Sequence, residues 1–337
     1  MTIRDVAAYS GVSVSTVSRV LNDHPDVSDA VRSRVLDAVR TLHYIPNSSA
    51  RDLIRPQSDV LSLIIRGVGN PLFTDVLQTV EQAVNATRFS LISHHISSEG
   101  NEITAAAELA RSKKLRGLIL LGGCFDYTPE QVAGLEIPYV CCSFTNSFGT
   151  LNPSAFSSVS IDDQAEARRA VELLTRLGHR RIGILLKSTG DRSVSELRYR
   201  GYCQALAQAG IELDLNLIEE TGSYSMAAAY EGVRRLLARQ TDFTALFVIA
   251  DAMAVAAMKA LSDSGSRVPE DCSVIAIDGI EMSAYSSPTL TTLIQPQAEI
   301  GTEAVGILVD ILEGRAQHRH IRVATALRAG GSICSPA

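Results

Sequence analysis

The 337-residue sequence has no apolar run approaching the roughly 20 residues that span a bilayer. Its N-terminus, Met1-Thr2-Ile3-Arg4-Asp5, carries no apolar signal core, so membrane-spanning helices are excluded and a cytoplasmic location is expected. The six cysteines, at 124, 141, 142, 203, 272 and 334, form neither a C-x-x-C pair nor a regular framework, which suits a reducing compartment. Catalytic signatures are missing as well. There is no P-loop, no G-x-S-x-G elbow and no H-E-x-x-H, and Gly67-Val68-Gly69 lacks the third glycine of a dinucleotide fingerprint. His94-His95 and His318-Arg319-His320 have no Cys or carboxylate at ligand spacing and read as surface residues. Neither a metal nor a cofactor is expected.

What is present is an ordinary globular composition, 46% hydrophobic and 20% charged, in a chain long enough for two or three domains. The net charge of -6 argues at first against a nucleic-acid partner, but it is unevenly spread. Residues 1–57 hold seven Arg against six Asp, so the rest of the chain carries all the excess negative charge. A near-neutral module on an acidic body does not by itself reveal a DNA binder, and the residue pattern has to decide.

Residues 2 to 9 place Ile3, Val6 and Ala7 on one helical face behind a Thr2 cap, and Gly11 breaks the pattern. A second helix follows behind Ser13, with Val14, Val17 and Leu21 as its expected buried stripe and Ser15, Thr16, Ser18 and Arg19 projecting elsewhere. After a turn over Asn22 to Asp26, Ser28 is expected to cap a third helix built on Val31, Val35, Leu36 and Val39. Three helices in about 45 residues, the first two joined by a Gly-containing turn, follow the helix-turn-helix plan. Asn47 is placed to cap one more short helix, Ser48 to Ile54, which Pro56 stops before a linker.

From Val60 onward, β-like apolar runs alternate with helical stretches: Leu61 to Ile65, Phe89 to Ile92, Leu118 to Leu121, Tyr139 to Cys142, Ile182 to Leu186, Leu215 to Ile218, Ala245 to Ile249 and Ser273 to Ile277. This alternation predicts two doubly wound parallel sheets, since about ten strands are too many for one small sheet. The fold class expected is therefore an all-α head on an α/β core of two parallel-sheet subdomains.

The stretch from Thr2-Ile3-Arg4-Asp5-Val6-Ala7 through Gly11-Val12-Ser13-Val14-Ser15-Thr16-Val17-Ser18-Arg19-Val20-Leu21-Asn22 resembles the lactose/galactose repressor family of bacterial transcription regulators. The resemblance continues through Tyr44-Ile45-Pro46-Asn47, Ala50-Arg51-Asp52-Leu53, Asn70-Pro71-Leu72-Phe73, Leu177-Gly178-His179-Arg180-Arg181-Ile182, Arg198-Tyr199-Arg200-Gly201-Tyr202, Val268-Pro269-Glu270-Asp271 and Pro288-Thr289-Leu290-Thr291-Thr292, covering essentially the whole chain. It implies a DNA-binding head, residues 1–57 with a hinge helix at about 47–54, on a periplasmic-binding-protein-like core, residues 58–337. Within that core an N-subdomain is expected over about 60–176 and 294–323, and a C-subdomain over about 177–293 and 324–337. The implied activity is a ligand-responsive regulator, a repressor, that binds a pseudopalindromic operator as a homodimer. The alternative on the same core is a solute-binding protein or a sugar-modifying enzyme, neither of which needs residues 1–57.

For DNA the candidates are Thr2, Ser13, Val14, Ser15, Thr16, Ser18, Arg19, Asn22, Ser28, Tyr44, Asn47, Ala50, Arg51 and Leu53. Small polar residues let the second helix sit deep in a major groove, and Arg19 suits a guanine or a phosphate; taken alone, the same face would simply meet water. Leu53 would in isolation be a core leucine, and the resemblance instead implies a minor-groove wedge. For a small polar effector in the interdomain cleft the candidates are Asn70, Leu72, Phe73, Asp162, Arg198, Tyr224, Asp251 and Asp278. Phe73 and Tyr224 suit stacking, while Arg198 and Asp278 suit hydroxyls or a polar ring edge. Asp162 reads equally as a helix cap and Asp251 chiefly as one. Ala250 stands where many sugar-responsive members carry Asn, which argues against a simple hexose. A two-fold interface is expected from Gln295 to Glu313 and from the first strand and helix after Val60.

Overall fold

A computed structural model describes residues 1–21, 24–42, 44, 59–67, 69–239 and 242–336. Two compact units result, Met1–Ser58 and Asp59–Ala337.

In the first unit, helices α1 (Ile3–Ser10), α2 (Val14–Leu21) and α3 (Asp29–Thr41) enclose a core of Val6, Ala7, Val17, Val20, Val35 and Ala38. The start of α1 is a capping box: the Asp5 amide donates to Thr2 Oγ1, and the Thr2 amide donates to Asp5 Oδ2 at 2.7 Å. Gly11, at φ +66°, ends the helix in a left-handed turn that costs a glycine little. The Thr16 amide donates to Ser13 Oγ at 3.1 Å and so starts α2. Ser28 holds the N-cap position of α3 but makes no side-chain cap bond. The buried stripe of α2 is Val17 and Val20; Val14 is 40% exposed, so it is not the core residue that periodicity suggested. Three-residue steps from Val17 fix a face only to within a turn, and the packing against α1 and α3 decides it. The hinge helix and the candidates Asn22, Asn47, Ala50, Arg51 and Leu53 lie outside the described residues.

The second unit has two six-stranded sheets. Strands β1 (Val60–Arg66), β2 (Ser90–Ile96), β3 (Gly117–Leu121), β4 (Tyr139–Cys142), β5 (Ser157–Ser160) and β11 (His320–Arg322) form the first, in the order β11-β5-β4-β3-β1-β2, all parallel. Strands β6 (Ile182–Leu186), β7 (Ile218–Glu220), β8 (Ala245–Val248), β9 (Ser273–Asp278), β10 (Thr291–Ile294) and β12 (Ala326–Arg328) form the second, in the order β12-β10-β9-β8-β6-β7, with only β12 antiparallel. The central strands are apolar throughout because helices cover both faces. The expected two-sheet α/β core is present. The run at Leu215 is a 3-10 turn, Leu215–Leu217, with the strand starting at Ile218.

Helices α4 (Pro71–Asn85) and α5 (Glu102–Lys113) follow β1 and β2. Helices α6 (Asp163–Arg176), α7 (Val194–Gln208), α8 (Met226–Ala238) and α9 (Asp251–Asp263) pack around the second sheet. The chain therefore crosses between halves at residues 161–162, earlier than the expected 176. Helical spacing alone does not say which sheet a helix covers, and Ala167, Ala170, Val171 and Leu174 bury α6 against α7 and the second sheet. The return crossings lie at Gln295-Pro296 and Val323–Thr325. Helix α10 (Gln297–Leu312), expected to help build a two-fold interface, spends Ile300, Ala304, Val305, Ile307 and Leu308 on α4 and the first sheet of its own chain.

The α6–α7 contact depends on Gly201, where an added Cβ would sit 2.2 Å from the Gln164 carbonyl oxygen and 2.9 Å from the Arg168 amide nitrogen. Both are backbone atoms that cannot swing aside. Gly201→Val is expected to destabilise the core by about 1–3 kcal/mol, read as a lower urea midpoint; an unchanged midpoint would contradict this packing.

Candidate functional site

Helix α2 presents the nucleic-acid candidates. Ser13, Val14, Ser15 and Arg19 are exposed, and Thr16 and Ser18 are half-buried. Ser13 Oγ lies 2.7 Å from Ser15 Oγ and 2.8 Å from Thr16 Oγ1, so these hydroxyls form one short polar cluster at the helix start. Thr2 and Ser28 are exposed at the starts of α1 and α3, and Tyr44 is half-buried against the core of the unit.

Between the two sheets of the core lies a cavity of about 380 Å³. Asn70, Leu72 and Phe73 reach it from the first turn of α4, whose start Asn70 fixes by accepting the Leu72 amide at 3.1 Å. The Phe73 ring lies over Gly122, at φ +67°, where a Cβ would sit 2.8 Å from ring carbons. Tyr224 comes from the loop before α8; its hydroxyl is 3.2 Å from Ser193 Oγ, and Lys187 Nζ stands 5.7 Å from its ring centre.

The floor is a buried charge cluster. Arg198, on α7 and 4% exposed, donates from Nε at 2.9 Å to Asp163 Oδ1, lies 3.3 Å through Nη1 from Asp278 Oδ1, and also donates to the Ile249 carbonyl. Gln295 Nε2 donates to Asp278 Oδ1 at 2.9 Å, leaving Asp278 Oδ2 with no protein partner among the described residues. Asp278 ends β9 at φ +146°, a conformation side chains avoid, and Gln297 donates to its carbonyl at 3.3 Å. One cation thus faces two carboxylates. Burial pushes the Asp278 carboxyl up to about 7 against the pull of Arg198, and raises Asp163 likewise. Burial disfavours the Arg198 charge, yet the two carboxylates hold it above its ordinary value.

The candidates do not all converge. Phe73, Asn70, Leu72, Tyr224, Arg198 and Asp278 line the cavity. Asp251 does not: it is fully buried, and its carboxylate accepts the Gly279 and Ile280 amides and the hydroxyls of Ser283 and Thr292. Nor does it cap a helix, since Ala250 is the N-cap of α9; it clamps the turn after β9 that holds Asp278. Asp162 caps α6 through the Ala165 amide at 3.1 Å and pairs with Arg322 outside this cavity. Sequence reasoning missed Asp163 and Gln295 as partners of the cluster. The signal for Asp163 is the doubled acid after β5, whose first member caps α6 while the second turns inward to Arg198.

Residues 2–47 match the family model for bacterial regulatory proteins, lacI family, and residues 171–333 match that of a periplasmic binding protein-like domain. The chain is 33% identical over 97% of its length, and 97% of the relative's, to the HTH-type transcriptional regulator MalR of Clostridium butyricum. It is 31% identical to the ribose operon repressor of Haemophilus influenzae, covering 91% of each. In structure it is similar to the lac repressor dimer bound to operator and the anti-inducer ONPF, with TM-score 0.83, 26% identity and 99% of each chain covered.

A carboxyl whose folded pKa is about 7, against about 3.9 when free, contributes stability that is full below the free value and lost as pH rises through 7. Asp278→Asn keeps the neutral shape. Its urea midpoint is expected to fall less than that of the wild type between pH 5.5 and pH 8.5; parallel pH profiles would show that Asp278 does not hold the proton.

Proposed function

The chain belongs to the lacI family of bacterial regulatory proteins, and from that premise we propose that it is a cytoplasmic repressor that binds a pseudopalindromic operator as a homodimer and answers to a small neutral polar ring compound. Its relatives are transcriptional regulators, so the enzyme alternative falls away. One observation carries the reading: a single chain joins a polar face with exposed Ser15 and Arg19, on the second helix of a three-helix unit, to a cavity floored by a buried cluster of one guanidinium and two carboxylates. A dimer supplies the two half-site readers that a symmetric operator requires.

On DNA, Ser15, Thr16, Ser18 and Arg19 supply the polar contacts of α2. The exposed Val14 suits a thymine methyl group better than water, and Thr2, Ser13, Ser28 and Tyr44 suit phosphates. In the cleft, Phe73 and Tyr224 cover the apolar faces of the ligand and Asp278 Oδ2 accepts its hydroxyl or N–H. Arg198 is already committed to Asp163 and Asp278, so its role is to hold the carboxylates in place. A sugar derivative or a nucleoside has this chemistry; a strongly charged ligand does not.

Selection from random duplexes should yield an operator whose affinity falls steeply with salt, because phosphate contacts release counterions. Arg19→Ala should cost about 1–3 kcal/mol of that affinity, while Tyr224→Ala should leave ligand-free operator binding intact and lose the response to a ligand found by thermal-shift screening. Equal affinity for selected and random DNA at every salt concentration would overturn the regulator reading, and an unaltered ligand response in Tyr224→Ala would overturn the cleft assignment.

A further inference from the structure

The core contains a second and larger cavity, about 680 Å³, which the cleft reading does not use. Its walls come from both halves of the core. The first half supplies Phe125, the loop after β4 and the β5–β11 edge; the second supplies Gln164 and Arg168 of α6 and Leu197, Arg200 and Gln204 of α7. It sits beside two of the crossings between halves, since Ile161, Asp162 and Arg322 also line it.

Three features of the wall suit a ligand better than bulk water. Ser160 lines the cavity, and its hydroxyl is not among the buried polar atoms left without a partner, so it is open to whatever fills the cavity. Phe156 and Phe125 offer apolar surface, and the His320 ring is fixed edge-on to Phe156 with its centre 4.6 Å away, by hydrogen bonds to Ser158 Oγ and the Pro153 carbonyl. His320 is exposed, as expected of a surface residue, and one face of its ring also lines this cavity. Finally, each of the three arginines pairs with a carboxylate through one nitrogen, Arg168 with a Glu172 that Arg176 shares, Arg200 with Glu196 and Arg322 with Asp162, which leaves N–H donors on the forks with their charge partly offset.

Oxygen acceptors without charge, donors and acceptors around the rim, and flat apolar patches describe one class of occupant. We propose that this cavity is a second ligand site that takes a neutral polyhydroxylated ring compound, a sugar or the end of an oligosaccharide. Asp163 lines both cavities while holding Arg198 between them, so the two sites share a side chain. Because the walls belong to different halves, a change in the angle between the halves changes their spacing, and a ligand here has different affinity for the two arrangements. Occupancy of one site then alters affinity at the other by a reciprocal factor.

The test is isothermal titration calorimetry of the full chain with D-ribose, D-glucose, maltose and cellobiose, repeated on Tyr224→Ala, which disables the cleft, and on Gln204→Trp, which fills the second cavity from an exposed helix position. At least one of the four is expected to bind Tyr224→Ala, and the double variant should bind that compound about tenfold or more weakly. Glucuronate should bind no more tightly than glucose. The proposal is overturned if none of the four binds Tyr224→Ala, if Gln204→Trp leaves that binding unchanged, or if glucuronate binds better. Binding lost in Gln204→Trp alone and kept in full by Tyr224→Ala supports the second site and counts against the cleft reading; the reverse pattern keeps the cleft and removes the second site.

Discussion

A guanidinium with 4% exposure cannot be left without anions, and the arrangement of the core follows from how Arg198 is satisfied. Its two carboxylates come from the first residue of α6 and the last residue of β9, and a third acceptor, the Ile249 carbonyl, comes from the end of β8. Taking one partner from such a buried network costs about 3–5 kcal/mol, so the relative positions of α6, α7, β8 and β9 are tied to one another. Gln295, at the crossing after β10, extends the network to the segment that leads into the other half. The cluster therefore lies where any motion of one half against the other is felt.

The same constraint explains the backbone around Asp278. Asp278 stands at φ +146° with its carboxylate on Arg198, and its carbonyl side leads into a tight turn at Gly279, φ +77°. Asp251, fully buried, accepts two amides of that turn and the Ser283 and Thr292 hydroxyls, and Arg328 donates to Ser283 Oγ at 2.7 Å. A buried carboxylate with four donors is a rigid support, and it sits directly behind the strained residue. The strain at Asp278 is thus maintained by a second acid that never faces the cavity.

The α/β alternation of the core was legible because central parallel strands such as β3 and β6, apolar at every position, stand out from polar loops. Strands β5, β10, β11 and β12 were not, since Ser157–Ser160 and Thr291–Ile294 are rich in hydroxyls and the last two are three residues long. Those edge and late strands acquire their structure from neighbours already in place, which no local pattern records. Phe73, Arg198, Tyr224 and Asp278 were marked by the family resemblance, but their pairing was not. Arg198 is 35 residues from Asp163 and 80 from Asp278, and only the sheet topology brings them to one point. The misplacement of Val14 has a simpler cause: an eight-residue helix gives too few turns to choose among adjacent faces.

On the proposed cleft reading, the commitment of Arg198 to its own carboxylates also sets what the cleft would discriminate. An anionic ligand would approach two carboxylates whose cation is already shared, and a cationic one would compete with a guanidinium that is held by hydrogen bonds on three sides. Either would lose hydration without a matching gain. A neutral hydroxyl meets no such penalty, because Asp278 Oδ2 can accept from it when ionised or donate to it when protonated, without displacing anything in the floor. Discrimination then rests on shape, and the shape is set by Phe73 against Gly122 from one half and by Tyr224 from the other. A ligand that touches both aromatic walls is in contact with both halves at once, so its binding energy depends on their spacing, which is the physical requirement for a small molecule to act as a switch.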